Sequence, residues 1–172
     1  MTADLCRHVN ALISDLVAEY GEIDLVGRRV ECSYEEYDGL LDSFESFGVV
    51  GGAGVRIVRD GRVLLVRYEH AEGWIDPGDG RRPGESYVEC AKRGVEETTG
   101  LEASIDGLAQ IQLVYLDDST GRPPIPNPYV SFFGSVVDDA VSPGDSAVAV
   151  RWADELPAEL AYDELAELRL DG

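Results

Sequence analysis

The chain is almost without lysine. Lys92 is the only one, and Lys and Arg together number 14 against 34 Asp and Glu. Cations so few exclude recognition of nucleic acid through a basic patch. Long hydrophobic runs are also missing. None approaches the about 18 apolar residues that a membrane-spanning helix needs, so no membrane partner is expected. The opening MTADLCRHVNALISDLVAEY lacks the apolar core of a signal peptide, and a cytoplasmic protein is expected. Cys6, Cys32 and Cys90 are odd in number, far apart and without a CxxC pair, which argues against a zinc site or a disulfide framework. His8 and His70, the two histidines, have no His or Cys at ligand spacing. The chain also lacks a Gly-Lys-Ser/Thr phosphate loop, a GxSxG elbow and a strand-anchored GxGxxG.

What is present is acid. The net charge is -20, and the carboxylates are scattered rather than gathered into a tail. This resembles the composition of proteins from salt-loving organisms. At about 1 M salt the Debye length shrinks to roughly 3 Å, which makes self-repulsion tolerable. The carboxylates then keep the surface hydrated and soluble. An acidic face for a basic partner is the alternative reading. The length of 172 residues and hydrophobic content of 44% fit one globular domain with an extension.

Along the chain, Leu5, Val9, Leu12, Ile13, Leu16, Val17 and Tyr20 recur at helical spacing, with Gly21 as the stop. A strand-like run spans 23–32. Ser33 and Glu36 form a capping box for a second helix bearing Tyr34, Tyr37, Leu40, Leu41 and Phe44. These two apolar stripes are expected to pack on the rest of the chain or on a second copy in a homodimer. Gly48 to Gly54, GVVGGAG, reads as a flexible joint, dividing an N-terminal helical extension (1–47) from the main domain (48–172). Next comes a hairpin over 55–68 that turns at Asp60-Gly61, then a loop over 69–84. Ser86 and Glu89 form another capping box, opening a helix that Gly100 stops. Strand candidates follow at 108–116, 129–137 and 147–152, with a Pro-rich loop over 117–128. A helical pattern covers 162–170.

The stretch WIDPGDGRRPGESYVECAKRGVEETTGL, residues 74–101, carries the most information. It resembles the signature of the Nudix hydrolases, which cut diphosphates linking a nucleoside to another group. That signature runs glycine, five free residues, glutamate, seven free residues, then Arg-Glu-apolar-any-Glu-Glu-any-Gly-apolar. Glu85, Arg93, Val95, Glu97, Gly100 and Leu101 fall in register. Three positions depart: Asp79 replaces the opening glycine, and Gly94 and Thr98 replace two glutamates. The resemblance implies an α/β fold, the Nudix-type α/β/α sandwich with a mixed sheet. It also implies a magnesium cofactor, with manganese as a substitute, and a small-molecule nucleoside diphosphate derivative as substrate. Glu97 and the carbonyl of Gly78 would bind metal, and Arg93 and Glu85 would position the catalytic carboxylates.

Magnesium neutralises phosphate oxygens and prefers carboxylate and water ligands. A helix gathers carboxylates at i, i+3 and i+4 on one face. Here those places are Gly94, Glu97 and Thr98, and only Glu97 supplies a carboxylate. Glu96 lies roughly 160° from Gly94 at about 100° per residue. Cys90 lies near the ligand sector, but a soft thiol suits other metals and a small packed residue is the plainer reading. Asp117, Asp118 and Asp145 are the remaining candidate donors. A mid-helix glycine costs about 1 kcal/mol, so Gly94 signals either a close approach or a lapsed ligand. Changing Gly94 and Thr98 to glutamate is expected to complete the carboxylate face. Val88, Ala91 and Val95 form the core stripe. Arg93 and Glu85 serve catalysis or merely staple loop to helix. The function expected is therefore that of a hydrolase with a weakened or rearranged magnesium site, and the alternative is a Nudix-fold module that binds a nucleotide or partner without cutting it.

Overall fold

The computed structural model describes residues 2–69, 72–144, 147 and 149–157. The elements run α1 (Thr2–Tyr20), β1 (Leu25–Glu31), α2 (Tyr34–Phe47), β2 (Gly52–Arg59) and β3 (Arg62–Arg67), then β4 (Gly78–Gly80), α3 (Tyr87–Thr99), β5 (Ala103–Asp117), β6 (Ile125–Val136) and β7 (Ala149–Ala153). His70, Asp145 and the helical pattern at 162–170 lie outside the described residues. No described helix is long and apolar enough to cross a membrane.

The strands form one mixed sheet in the order β1-β5-β6-β2-β3-β7, with β4 paired to β2. The β1–β5 and β2–β6 pairs are parallel, and the other pairs are antiparallel. Sheet and helices together give the mixed α/β class expected. The hairpin turns at Asp60 (φ 52) and Gly61 (φ 74), the two positive-φ residues that a tight antiparallel turn needs.

The N-terminal segment contributes more than helices, because β1 adds a parallel strand beside β5. Leu5, Val9 and Leu16 of α1 and Tyr37 and Leu41 of α2 are buried in the same core as Val55, Ile57, Val130 and Phe132 of the sheet. Each such side chain contributes about 1.5–3 kcal/mol by leaving water. Tyr20 meets the ring of Phe132, and the Tyr37 hydroxyl donates to the carbonyl of Pro123 at 2.6 Å.

The glycine run before β2 is not a joint. Gly48 caps α2 in the left-handed conformation, Val50 and Ala53 are fully buried, and Gly52 opens β2 between β4 and β6. A Cβ on Gly54 would come within 2.3 Å of the Tyr129 hydroxyl. Gly52 and Gly54 are there for close approach, and Gly48 for its left-handed φ. Strand β4 sits inside the segment read as a plain loop; two of its three residues are glycine, which leaves no pattern to detect. β6 starts earlier than expected despite Pro126 and Pro128. Its pairing with β2 begins only at Tyr129, so Ile125–Pro128 is bonded on one side, where proline is tolerated.

Candidate functional site

α3 forms as its sequence dictates. The Ser86 side chain accepts from the Glu89 backbone N–H at 3.1 Å, Glu89 accepts from the Ser86 N–H at 3.0 Å, and Gly100 ends the helix at φ 77. The helix buries Tyr87, Cys90, Ala91, Gly94, Val95, Thr98 and Thr99. Ala91 and Val95 of the expected stripe lie in the core, with Val88 partly buried at its margin.

Arg93 is the hub of the loop-to-helix junction. Its Nε and Nη2 donate to both oxygens of Glu85, at 2.6 and 3.0 Å. Nη1 donates to Asp79 Oδ2 at 2.7 Å and to Glu97 Oε2 at 3.0 Å, and Nη2 also reaches the Gly80 carbonyl at 2.8 Å. The structure therefore brings Arg93, Glu85 and Glu97 together, as the motif register implies. It adds two residues to which sequence reading gave no role. Asp79 occupies the place of the family's opening glycine, and Arg82 grips Glu97 with both terminal nitrogens, at 3.1 and 3.0 Å. The one available signal was the Gly80-Arg81-Arg82 step in a chain poor in cations. The hydrogen bond from Arg93 holds the Glu85 carboxyl below its ordinary range; burial opposes this and the Arg82 N–H adds to it. Bonding to Glu85 raises Arg93 in turn.

Gly94 and Thr98 face inward. A Cβ on Gly94 would stand 2.6 Å from the Gly78 carbonyl carbon and 2.7 Å from the Asp79 nitrogen. The close approach, one of the two readings of this glycine, is thus the observed one. The expected gain from Gly94→Glu is overturned, because backbone blocks the side chain. Thr98 is 1% exposed, and its hydroxyl donates to its own helix, to the Gly94 carbonyl at 2.6 Å. Beyond it, the Ser142 and Gly144 N–H groups cap the carbonyls of Thr99 and Thr98. Cys90 is buried beneath the β4 loop, its thiol 3.3 Å from the Asp79 carbonyl; burial, helped by the Glu85 charge, pushes it up to about 11.

The donor set does not fit a magnesium cage. The Gly78 carbonyl accepts from the Tyr68 hydroxyl at 2.6 Å, and the Glu97 carboxylate is spanned by two arginines. Among the described residues no group of three or more His, Cys, Asp and Glu is arranged to hold a metal. Magnesium wants several free oxygens in an octahedron. Asp117 and Asp118 supply none here. Asp117 binds Arg29 and the Ser119 N–H, while Asp118 binds Arg122 and Thr120 beside α2.

Asp76 is a further anchor that sequence reading missed. It is 2% exposed and accepts from the buried Arg56 at 2.7 Å. Burial pushes its carboxyl up, and Arg56 opposes that shift. Next to it, the Pro77 carbonyl accepts from the Val55 N–H at 2.9 Å, which fixes the backbone leading into Gly78.

A cavity of about 280 Å³ adjoins this junction, with Asp79 and Gly80 in its wall together with residues of β1, β2, β5 and β6. Its size suits one moiety of a small ligand.

No curated protein matches the sequence. The fold is similar to that of a NUDIX hydrolase from Nitrosomonas europaea, at 20% identity and a TM-score of 0.54, over 67% of this chain and 64% of that one. The chain thus spans less than two thirds of that relative's length. It is also similar to an Ap4A hydrolase from C. elegans, at 19% identity and a TM-score of 0.52, over 69% and 91% of the two chains. A MutT NUDIX hydrolase from Burkholderia pseudomallei gives 25% identity and a TM-score of 0.50, over 64% and 88%. Identities below 25% speak for the fold alone. The family model of the NUDIX domain matches residues 50–169, from the strand that β4 and β6 enclose through α3 and its arginine hub, and the chain belongs to that family.

Proposed function

We propose that this family member binds a small nucleoside diphosphate derivative beside α3 and does not cut it by the family's magnesium route. The observation that carries the reading is the contact of Gly94 with Gly78. It fills the place of one metal-binding carboxylate with backbone, at 2.6 Å from an added Cβ. Thr98 is buried one turn on, and Glu97 is neutralised by Arg82 and Arg93. What is left for an anion is a guanidinium: Arg82 is 56% exposed and can exchange Glu97 for a phosphate oxygen.

A second reading is hydrolysis, with magnesium or manganese held by Glu97 and the Gly78 carbonyl, and with Arg93 and Glu85 as positioning residues. The exposure of Glu97 at the rim, 37% of its side chain, favours it. It requires Glu97 to turn from Arg82 and Arg93 to the metal.

One calorimetric series separates the two. A panel of nucleoside diphosphate derivatives is titrated in EDTA and in magnesium, with phosphate release followed in parallel. Binding that persists in EDTA, weakens in Arg82→Ala and yields no product supports the binding module. Magnesium-dependent turnover that Glu97→Gln abolishes would establish the hydrolase instead.

A further inference from the structure

Strand β1 carries an arginine where its pattern calls for an apolar residue. Along Leu25–Glu31 burial alternates, and Val26, Arg28 and Val30 are the half-buried positions. Register places Arg28 opposite Val114 of β5, and Val114 opposite Asn127 of β6. Cross-strand partners share a face of the sheet. Arg28 and Asn127 accordingly lie in one row, and both line the cavity whose far wall is Asp79 and Gly80. Asn127 Oδ1 is buried without a hydrogen-bond partner among the described residues. A buried acceptor of that kind is costly unless something donates to it.

The two ends of this cavity differ in origin. Asp79 and Gly80 belong to the family domain and are held by Arg93. Arg28 belongs to a segment before residue 50, where the family match begins. From β4 to β1 the sheet runs through β2, β6 and β5. Four spacings of about 4.8 Å put the two strands about 19 Å apart, less the reach of the arginine. A ligand in the cavity therefore lies between Asp79 and Gly80 at one end and Arg28 and Asn127 at the other.

We propose that Arg28 is a specificity-determining residue, added by the N-terminal strand, that selects ligands whose distal end is an anion flanked by a hydroxyl. The guanidinium donates to the anion, and the Asn127 side-chain amide, turned toward the cavity, accepts from the hydroxyl. A uronate has this chemistry; a neutral sugar supplies only the hydroxyl. The inference rests on the cavity being the ligand site of the proposed function.

The test compares UDP-glucuronate with UDP-glucose, which differ at the distal end by one carboxylate. Titration calorimetry on the full chain should show the uronate bound tighter by about tenfold or more, the scale of one charge-assisted hydrogen bond. In Arg28→Met the ratio should fall to about one, and Arg28→Lys should restore part of it. Asn127→Asp, which sets a charge against the uronate, should lower the ratio as well. Melting curves of each variant identify any that fails to fold. A preference that survives in Arg28→Met overturns the proposal, as does the absence of any preference in the wild type. If UDP-glucose binds but the ratio is flat, only the role of Arg28 falls. If neither nucleotide binds the wild type, the proposed ligand site falls with it.

Discussion

At Gly94 any side chain would put its Cβ 2.6 Å from the carbonyl carbon of Gly78. Backbone cannot yield as a flexible side chain can. Alanine is the better helix former by about 1 kcal/mol, so a solvent-facing glycine would gain from the change. Here the sign should reverse. Gly94→Ala is expected to lower stability by about 1–3 kcal/mol, the usual cost of overpacking, as read from urea unfolding. A variant as stable as the parent would mean that helix and strand do not meet as described. The same contact shows how far single residues were legible. The motif register located Glu85, Arg93 and Glu97, because their spacing is fixed along one chain segment. It left open whether Gly94 was crowded or merely unselected, since crowding depends on a strand sixteen positions earlier. Arg82 was illegible for a like reason: its partner Glu97 lies fifteen positions on, and only the fold brings them together.

The element that holds the site is α3 with the loop before it, and the bidentate Arg93–Glu85 pair is their clasp. The capping box and terminal glycine made the helix readable, with bounds within a residue of those expected. Strand β4 was not readable, since Gly78–Gly80 has too few side chains to show alternation. The clasp gives α3 a defined response to acid. The folded-state value of Glu85 lies below its ordinary one. Its contribution is therefore complete above the unfolded value, about 4.3, and is lost as pH falls through the lower folded value. Unfolding followed from about pH 6 to pH 3 should show a steeper acid limb in the wild type than in Glu85→Gln, which has no charge to lose. Equal slopes would mean that the clasp contributes nothing to stability.

For the whole molecule two terms oppose each other: a net charge of -20 and a core shared between the N-terminal segment and the rest of the chain. The sequence showed the charge directly and showed that α1 and α2 had apolar stripes. It could not show that β1 would extend the sheet, because a parallel partner 86 positions away leaves no local trace. The two terms respond differently to salt. Screening shortens the reach of repulsion to roughly 3 Å near 1 M, while apolar burial is not weakened by it. The full chain should therefore melt higher in molar potassium chloride than at low ionic strength. A fragment of residues 48–172 keeps its own repulsion but loses the burial of Leu5, Val9, Leu16, Tyr37 and Leu41 and exposes the edge of β5. Salt cannot replace that core. The fragment should stay insoluble, or melt well below the full chain, in both buffers. A fragment that matches the full chain in molar salt would show that residues 1–47 are not structural, and a full chain whose melting point ignores salt would show that the charge is not what limits its stability.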